Sequence, residues 1–308
     1  MRFSRWWLAA ILLAGALLQG GRADAFCRST TCQTCPPPAT GCVTEGLPLY
    51  WPSSCASYDV QKDASKWASF GVATQIVDDA FAAWAGVTCD AAGHQPSLRF
   101  MNLGPVECIA REFNDGRKRG GGNANLIVFR DDVWTSADVS DPASTLALTT
   151  VTFSVPTGQI YDADIEVNGS QSALSTEQNP SADAFDLLSI LTHEAGHFLG
   201  LAHSTEPCSF DGQDCPTMNA LYRRGSDAYR SLEADDKVGV CAIYPPDRGP
   251  SSASCTPFQG LSSDCGGPPE PAGGCAVAGA EAAGSGSGGV GLLLLGVGIA
   301  AGLARRRR

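Results

Sequence analysis

The sequence predicts a mixed α/β domain, because three segments with helical character alternate with short stretches typical of β-strands. Apolar residues recur at three- and four-residue spacing over residues 72–84, and polar residues take the other face. Two further helices are predicted at 182–202 and 232–244, the second ending before two prolines. The stretches that predict strands are 47–51, 97–103, 125–129, 145–155 and 159–167.

Local signals place the turns and helix ends. Ser181 is a candidate N-cap for the central helix, and Asp183 and Asp186 would lie in its first turn, where carboxylates suit the helix dipole. The turn sequence at 156–158 separates two strand-like stretches and predicts a β-hairpin.

Both ends of the chain look like targeting segments. Residues 1–25 have two early arginines, an apolar stretch and a small-residue cleavage site, so they predict a signal peptide rather than a membrane anchor. A Cys/Pro-rich segment at 26–46 precedes the domain at 47–246, and 247–274 has linker composition. In the tail, 275–308, an apolar run at 288–304 ends in four arginines and predicts a membrane span.

The chain has 13 cysteines, of which twelve lie between residues 26 and 274. An even set in an exported chain predicts disulfides. The spacing of Cys32 and Cys35 also allows a metal or redox pair.

The charge of the chain argues against nucleic-acid partners. Its formal net charge is −11, and without residues 1–25 and 275–308 it keeps 14 basic and 30 acidic side chains, a net of −16. Such a body repels nucleic acid and anionic membranes. The basic residues 117–119 stand beside three glycines, which favours an exposed loop over a nucleic-acid patch.

One motif carries chemistry, at residues 193–203 (HEAGHFLGLAH). His193 and His197 lie four apart, so on a helix both rings face one side. Gly200 permits a chain reversal that returns His203 as a third ligand. Three protein ligands leave a zinc ion with one position for water, as a catalytic site requires, and Glu194 lies where it reaches that water without binding the metal.

The chain has four histidines, and three of them belong to this motif. Two alternatives remain beside the catalytic interpretation. The histidines are unrelated structural residues, or they hold a metal without catalysis, which leaves Glu194 without a purpose.

The motif resembles that of the metzincin zinc proteases, and the matrixin branch in particular. Met218 resembles the methionine of the turn that packs beneath the zinc in that family, and residues 161–166 and 232–244 resemble two of its other elements. The resemblance implies a twisted, mainly parallel sheet with an active-site helix and a C-terminal helix. It also implies Glu194 as general base, a protein or peptide substrate bound as an extended strand along the sheet edge, and a monomer.

The sequence departs from the family at the second zinc site and in one loop. The histidines of a second, structural zinc are missing from 161–166, so one zinc ion is expected. Asp162 and Asp164 are candidate calcium ligands, or else part of an exposed acidic strand. Tyr222 is either a transition-state donor or a packing residue. The loop 204–216 is long, and a disulfide between Cys208 and Cys215 is expected to close it.

The tail resembles the C-terminal sorting segment of myxobacterial exported proteins called MYXO-CTERM. That resemblance implies cleavage near Cys275 and a protein that is secreted or displayed at the bacterial cell surface or outer membrane. We therefore expect an exported zinc metalloendopeptidase, attached to a membrane only through its tail. The rivals are a zinc-stabilised surface protein without activity and a zinc hydrolase that acts on non-peptide substrates.

Overall fold

The computed structural model describes residues 26–36, 38, 41–111, 123–136, 140–208, 215–248, 255, 290–295 and 298–299. Its centre is a six-stranded sheet in the order β6-β4-β5-β3-β1-β2. The strands are β1 (Cys55–Gln61), β2 (Arg99–Val106), β3 (Leu126–Phe129), β4 (Ala147–Ser154), β5 (Ile160–Val167) and β6 (Val290–Leu295). The pairs β1–β2, β1–β3 and β3–β5 are parallel, and β4 pairs antiparallel with β5 and β6. The mainly parallel sheet is confirmed.

In the described residues, three helices accompany the sheet: α1 (Phe70–Ala85), α2 (Leu187–Phe198) and α3 (Ala234–Ile243). A short 3-10 turn, Ala228–Arg230, precedes α3. Two-residue strands join distant parts of the chain, and their pairs are Cys27–Arg28 with Leu201–Ala202, Leu174–Ser175 with Phe185–Asp186, and Leu221–Tyr222 with Gly298–Ile299.

The main core lies between the sheet and the helices. Successive residues of a strand face opposite sides, and in β5 Ala163, Ile165 and Val167 belong to this core. The alternate residues Asp162, Asp164 and Glu166 are also buried, on the other face. A second apolar cluster contains Val106, Cys108, Ala124, Leu126 and Val128. Both faces of the sheet are therefore covered.

Two predicted elements were wrong. Residues 47–51 make only isolated bridges, and the strand beyond them, β1, was missed. The hydrophobic pattern did not predict β1, because it contains the polar residues Ser57 and Asp59, although both are fully buried. The central helix spans Leu187–Phe198 and not 182–202, because Phe185–Asp186 and Leu201–Ala202 form short strands and Asp186, not Ser181, is the N-cap.

The disulfides confirm the framework expected from the cysteine count. Cys208 bonds to Cys215 as expected, and Cys32 bonds to Cys35, so that pair holds no metal. Cys108 is also disulfide-bonded. The other described pairs are Cys27–Cys42, Cys55–Cys255 and Cys89–Cys241.

Several predicted segments lie outside the described residues, namely the signal peptide, the basic loop 117–119 and most of 249–308. The membrane span predicted over 288–304 is not supported. In the described part of the chain no helix is both long and apolar enough to cross a membrane. The described pieces of this segment, Val290–Leu295 and Gly298–Ile299, are strands.

Candidate metal centre

Helix α2 carries two of the motif histidines and is held firmly at its start. His193 and His197 lie one turn apart and are fully buried. The Asp186 carboxylate accepts a hydrogen bond from the Ser189 amide at 2.9 Å, which caps the helix. The Arg230 guanidinium also donates to that carboxylate, at 2.8 Å from Nε. The position of the histidines is thus tied to the 3-10 turn.

The helix ends where the third histidine must turn back. The Trp51 indole Nε1 donates to the Phe198 carbonyl at 2.8 Å, which satisfies a group at the helix end. Gly200 has φ of +95°, and a Cβ there would lie 2.7 Å from the Leu49 carbonyl oxygen. Only glycine fits this turn without strain. The reversal predicted at Gly200 is confirmed, and it returns His203 to the helix.

The three histidines converge through the same ring atom. Nε2 of His193 lies 3.0 Å from Nε2 of His197, which lies 3.2 Å from Nε2 of His203. Four-coordinate zinc with Zn–N bonds of about 2.05 Å places its nitrogen ligands about 3.3 Å apart. Within the described part of the chain, this is the one group of three or more histidine, cysteine or carboxylate side chains arranged to hold a metal.

Hydrogen bonds on the far side of two rings fix which nitrogen carries the proton. His193 donates from Nδ1 to the Thr217 carbonyl at 2.6 Å, and His197 donates from Nδ1 to the Leu201 carbonyl at 2.9 Å. Burial, and then the charge of His203, lowers the pKa of His193 to about 3, so its ring is neutral at pH 7. The two Nε2 lone pairs therefore face each other at 3.0 Å and repel unless a cation separates them. The donor set fits a metal ion.

Met218 lies against the middle of the motif. A Cβ on Gly196 would be 2.2 Å from the Met218 sulfur, so the motif's glycine makes room for it. The Asp236 carboxylate of α3 accepts hydrogen bonds from the amides of Thr217 at 2.7 Å and Met218 at 3.1 Å. Since the Thr217 carbonyl orients His193, α3 supports the histidine through this turn. Nothing in the sequence had singled out Asp236 for this role.

Glu194 follows His193 on α2, is fully buried and bonds to β4. The Thr149 hydroxyl donates to Oε2 of Glu194 at 2.5 Å. Thr149 was not predicted from the sequence, because it is one of several threonines in a strand and no local pattern marks it.

Asp162 and Asp164 lie away from the histidines, on the other face of β5. Each is 1% exposed, so the exposed acidic strand was wrong. Asp162 accepts a hydrogen bond from the Asn123 side-chain amide at 2.7 Å, and Asp164 accepts one from the Leu126 backbone amide at 2.8 Å. Neither belongs to the metal-ligating group of the described residues, and calcium binding there is not supported.

Tyr222 is a packing residue in this structure. Its side chain is 2% exposed, and its hydroxyl donates to the Ser226 carbonyl. Its ring lies 4.8 Å from that of Tyr229, whose ring in turn stacks 6.3 Å from His193. Two tyrosines thus form a buried wall beside the first histidine, and Tyr229 was not anticipated.

The model of the Matrixin family matches residues 50–245, which is more than half of the chain and includes the whole motif. The chain belongs to the matrixin family. Matrixins are metalloproteases that use a catalytic zinc ion, so this matrixin is a peptide hydrolase with protein or peptide substrates. A comparison with curated proteins found no match.

Proposed function

We propose that this matrixin is an exported zinc endopeptidase in which His193, His197 and His203 hold one zinc ion and Glu194 is the general base. The observation that carries the proposal is the convergence of three Nε2 atoms at the helix that also carries the buried Glu194. Nearest-neighbour separations of 3.0 and 3.2 Å suit a tetrahedral ion.

The chain's own residues prepare the ligands for the ion. The carbonyls of Thr217 and Leu201 accept hydrogen bonds from the Nδ1–H groups of His193 and His197. These bonds keep the protons on Nδ1, leave Nε2 as the metal-ligating atom and fix the ring planes. When bound, zinc supplies a Lewis acid that makes a water molecule more acidic and polarises a carbonyl group.

Glu194 supplies the proton transfer. Its carboxylate takes a proton from the attacking water and returns it to the amine that leaves when the peptide bond breaks. The position of Glu194 directly after the first histidine on α2 supports this role. The burial of Glu194 supports the role, because a site that excludes bulk water prevents loss of the proton to solvent.

We further propose that substrates bind as an extended strand antiparallel to β4. The support comes from the chain itself: β6 pairs with this edge over six residues, from Val290–Ser154 to Leu295–Thr149. Main-chain hydrogen bonds along a sheet edge give affinity to many peptide sequences, which suits an endopeptidase.

The location is proposed to be outside the cytoplasm. Disulfides persist in oxidising compartments, and the described residues contain five complete ones. A signal peptide over residues 1–25 and sorting through the tail would lead to secretion or display at the cell surface. The acidic body supports a monomer without nucleic-acid partners.

The proposal is tested with the purified full chain and a fluorogenic peptide library. Hydrolysis should stop when a chelator removes zinc and return when zinc is added. Glu194→Ala should keep one zinc per chain yet lose at least about 100-fold in kcat, the typical contribution of a general base. The matched control is Glu45→Ala, because Glu45 is exposed and distant in sequence from the motif. Chelator-resistant hydrolysis, or full activity in Glu194→Ala, would refute the mechanism.

A further inference from the structure

We propose that Thr149 is a positioning residue, whose hydroxyl holds the Glu194 carboxylate in the orientation that proton transfer requires. This inference rests on the proposed function. Thr149 donates to Oε2 of Glu194 at 2.5 Å, at the short end of the range for a hydrogen bond from a hydroxyl to an oxygen.

The donor is held rigidly. Thr149 lies inside β4, opposite Ile165 of β5, and has no exposed surface. A β-branched side chain has few χ1 rotamers, so a fixed backbone also fixes the hydroxyl. The terminal torsion of a glutamate is by contrast broad. The bond to Thr149 therefore removes the main freedom of the Glu194 carboxylate.

This arrangement divides the work between the two carboxylate oxygens. Oε2 is committed to the strand, and Oε1 then carries the proton between water and leaving amine. Without the hydroxyl, the carboxylate populates several orientations, and only some of them reach the water. Loss of the bond thus lowers the rate of the chemical step and leaves the binding of a peptide to the sheet edge unchanged.

The test compares Thr149→Val, which keeps the shape and removes the donor, with Thr149→Ser, which keeps the donor. In the full chain, Thr149→Val should lower kcat about 10- to 100-fold with KM within about twofold, in the range found for residues that orient a metal site. Thr149→Ser should restore most of kcat. Thr74→Val on α1 is the matched control, since the Thr74 hydroxyl has no hydrogen-bond partner in the described structure.

Zinc affinity supplies a readout besides activity. Competition with a chromophoric chelator should give the same zinc dissociation constant for Thr149→Val and wild type. A tenfold weaker affinity, an unchanged kcat in Thr149→Val, or no rescue by serine would each overturn the inference. A wild type without zinc-dependent hydrolysis would overturn the proposed function instead.

A separate observation concerns β6, and from it we infer that the C-terminal tail inhibits the site from within the same chain. A strand has two edges, and β5 already pairs with one edge of β4. Because β6 pairs with the other, a substrate strand and β6 compete for the same hydrogen bonds. The tail thus acts as a competitive inhibitor until it is displaced or removed.

The path of the tail passes the candidate site. Leu295 pairs with Thr149, the residue bonded to Glu194. Three residues further on, Gly298–Ile299 pairs in parallel with Leu221–Tyr222, which follows the turn at Met218. In the structure that contains this pairing, Glu194 is 0% exposed.

The test compares the full chain with two variants. One variant ends after Gly274. The other carries Leu292→Pro and Leu293→Pro. Because the backbone amides of successive strand residues point to opposite edges, one of the two prolines removes an N–H group that faces β4. Both variants should lower the apparent KM about tenfold at unchanged kcat, given effective concentrations of order 1 mM for a tethered segment. The control is Ala282→Pro with Ala283→Pro, also in the tail.

Near-ultraviolet circular dichroism checks that each variant is folded. If the truncated chain does not fold, the KM of the proline variant alone decides whether the tail inhibits the site. An equal KM in the full chain and the proline variant would overturn the inhibition. An equal decrease in the control variant would overturn it as well, because the effect would then not depend on pairing with β4. Absence of hydrolysis in every form would refute the proposed function and not the tail inference alone.

Discussion

The contact between Gly196 and Met218 leads to a prediction with a definite size. A Cβ at Gly196 would lie 2.2 Å from the Met218 sulfur and 2.8 Å from Cζ2 of Trp84. Ordinary contact begins at 3.4 Å, so in Gly196→Ala the sulfur must move by at least 1.2 Å. Trp84 cannot move easily, because it is fully buried and its indole donates to the Thr192 carbonyl at 2.8 Å.

The expected stability is a balance of two terms. Alanine stabilises a helix interior by about 1 kcal/mol relative to glycine. Overpacking of a tight core costs about 1–3 kcal/mol, and this clash is severe on two sides. We expect a net loss of about 1–2 kcal/mol, which lowers Tm by about 2–8 °C for a domain of this size.

The same shift should weaken the metal site. The Met218 turn includes Thr217, whose carbonyl orients His193, so displacement of Met218 tilts that ring. Zinc affinity should fall about 10- to 100-fold. Calorimetry and chelator competition measure the two effects, with Gly71→Ala in α1 as the control, because a Cβ there meets nothing within 4 Å. A Gly196→Ala protein with wild-type Tm and zinc affinity would refute this reasoning.

Three further predictions concern other parts of the fold. Gly200→Ala should lower the free energy of unfolding by about 1–3 kcal/mol and weaken zinc binding, because Gly200 has a φ of +95° and the Leu49 carbonyl leaves no room for a Cβ. Urea unfolding measures the first effect and chelator competition the second. The double substitution Cys89→Ser with Cys241→Ser removes a disulfide with a sequence separation of 152. It should lower the free energy of unfolding, measured with urea, by about 4 kcal/mol. Burial raises the pKa of Asp59 to about 7, above its unfolded value of about 3.9. The folded state then holds the proton more tightly, so stability falls as pH rises from about 4 to about 7. Asp59→Asn should flatten that fall, which urea unfolding between pH 4 and pH 7 measures.

The sequence predicted the elements whose signals are local. The hairpin of β4 and β5 follows from two apolar stretches and a turn, and α1 from its periodicity. It failed at β1, because a strand covered on both faces with buried Ser57 and Asp59 does not alternate as a half-exposed strand does. It also extended α2 too far toward the N-terminus, since the pairing of Phe185–Asp186 with Leu174–Ser175 is not local.

For the candidate metal centre, the sequence alone predicted the three histidines, Glu194 and the glycine turn. The four-residue spacing on a helix and the positive φ at Gly200 depend only on the local sequence, so the sequence is enough to predict them. Tertiary structure decided what supports them: Thr149 on Glu194, Asp236 on the Met218 turn, and β6 on the edge of β4. These contacts join residues at least 18 positions apart, and no spacing rule reports them, because only the packed sheet and helices bring such residues within hydrogen-bond distance.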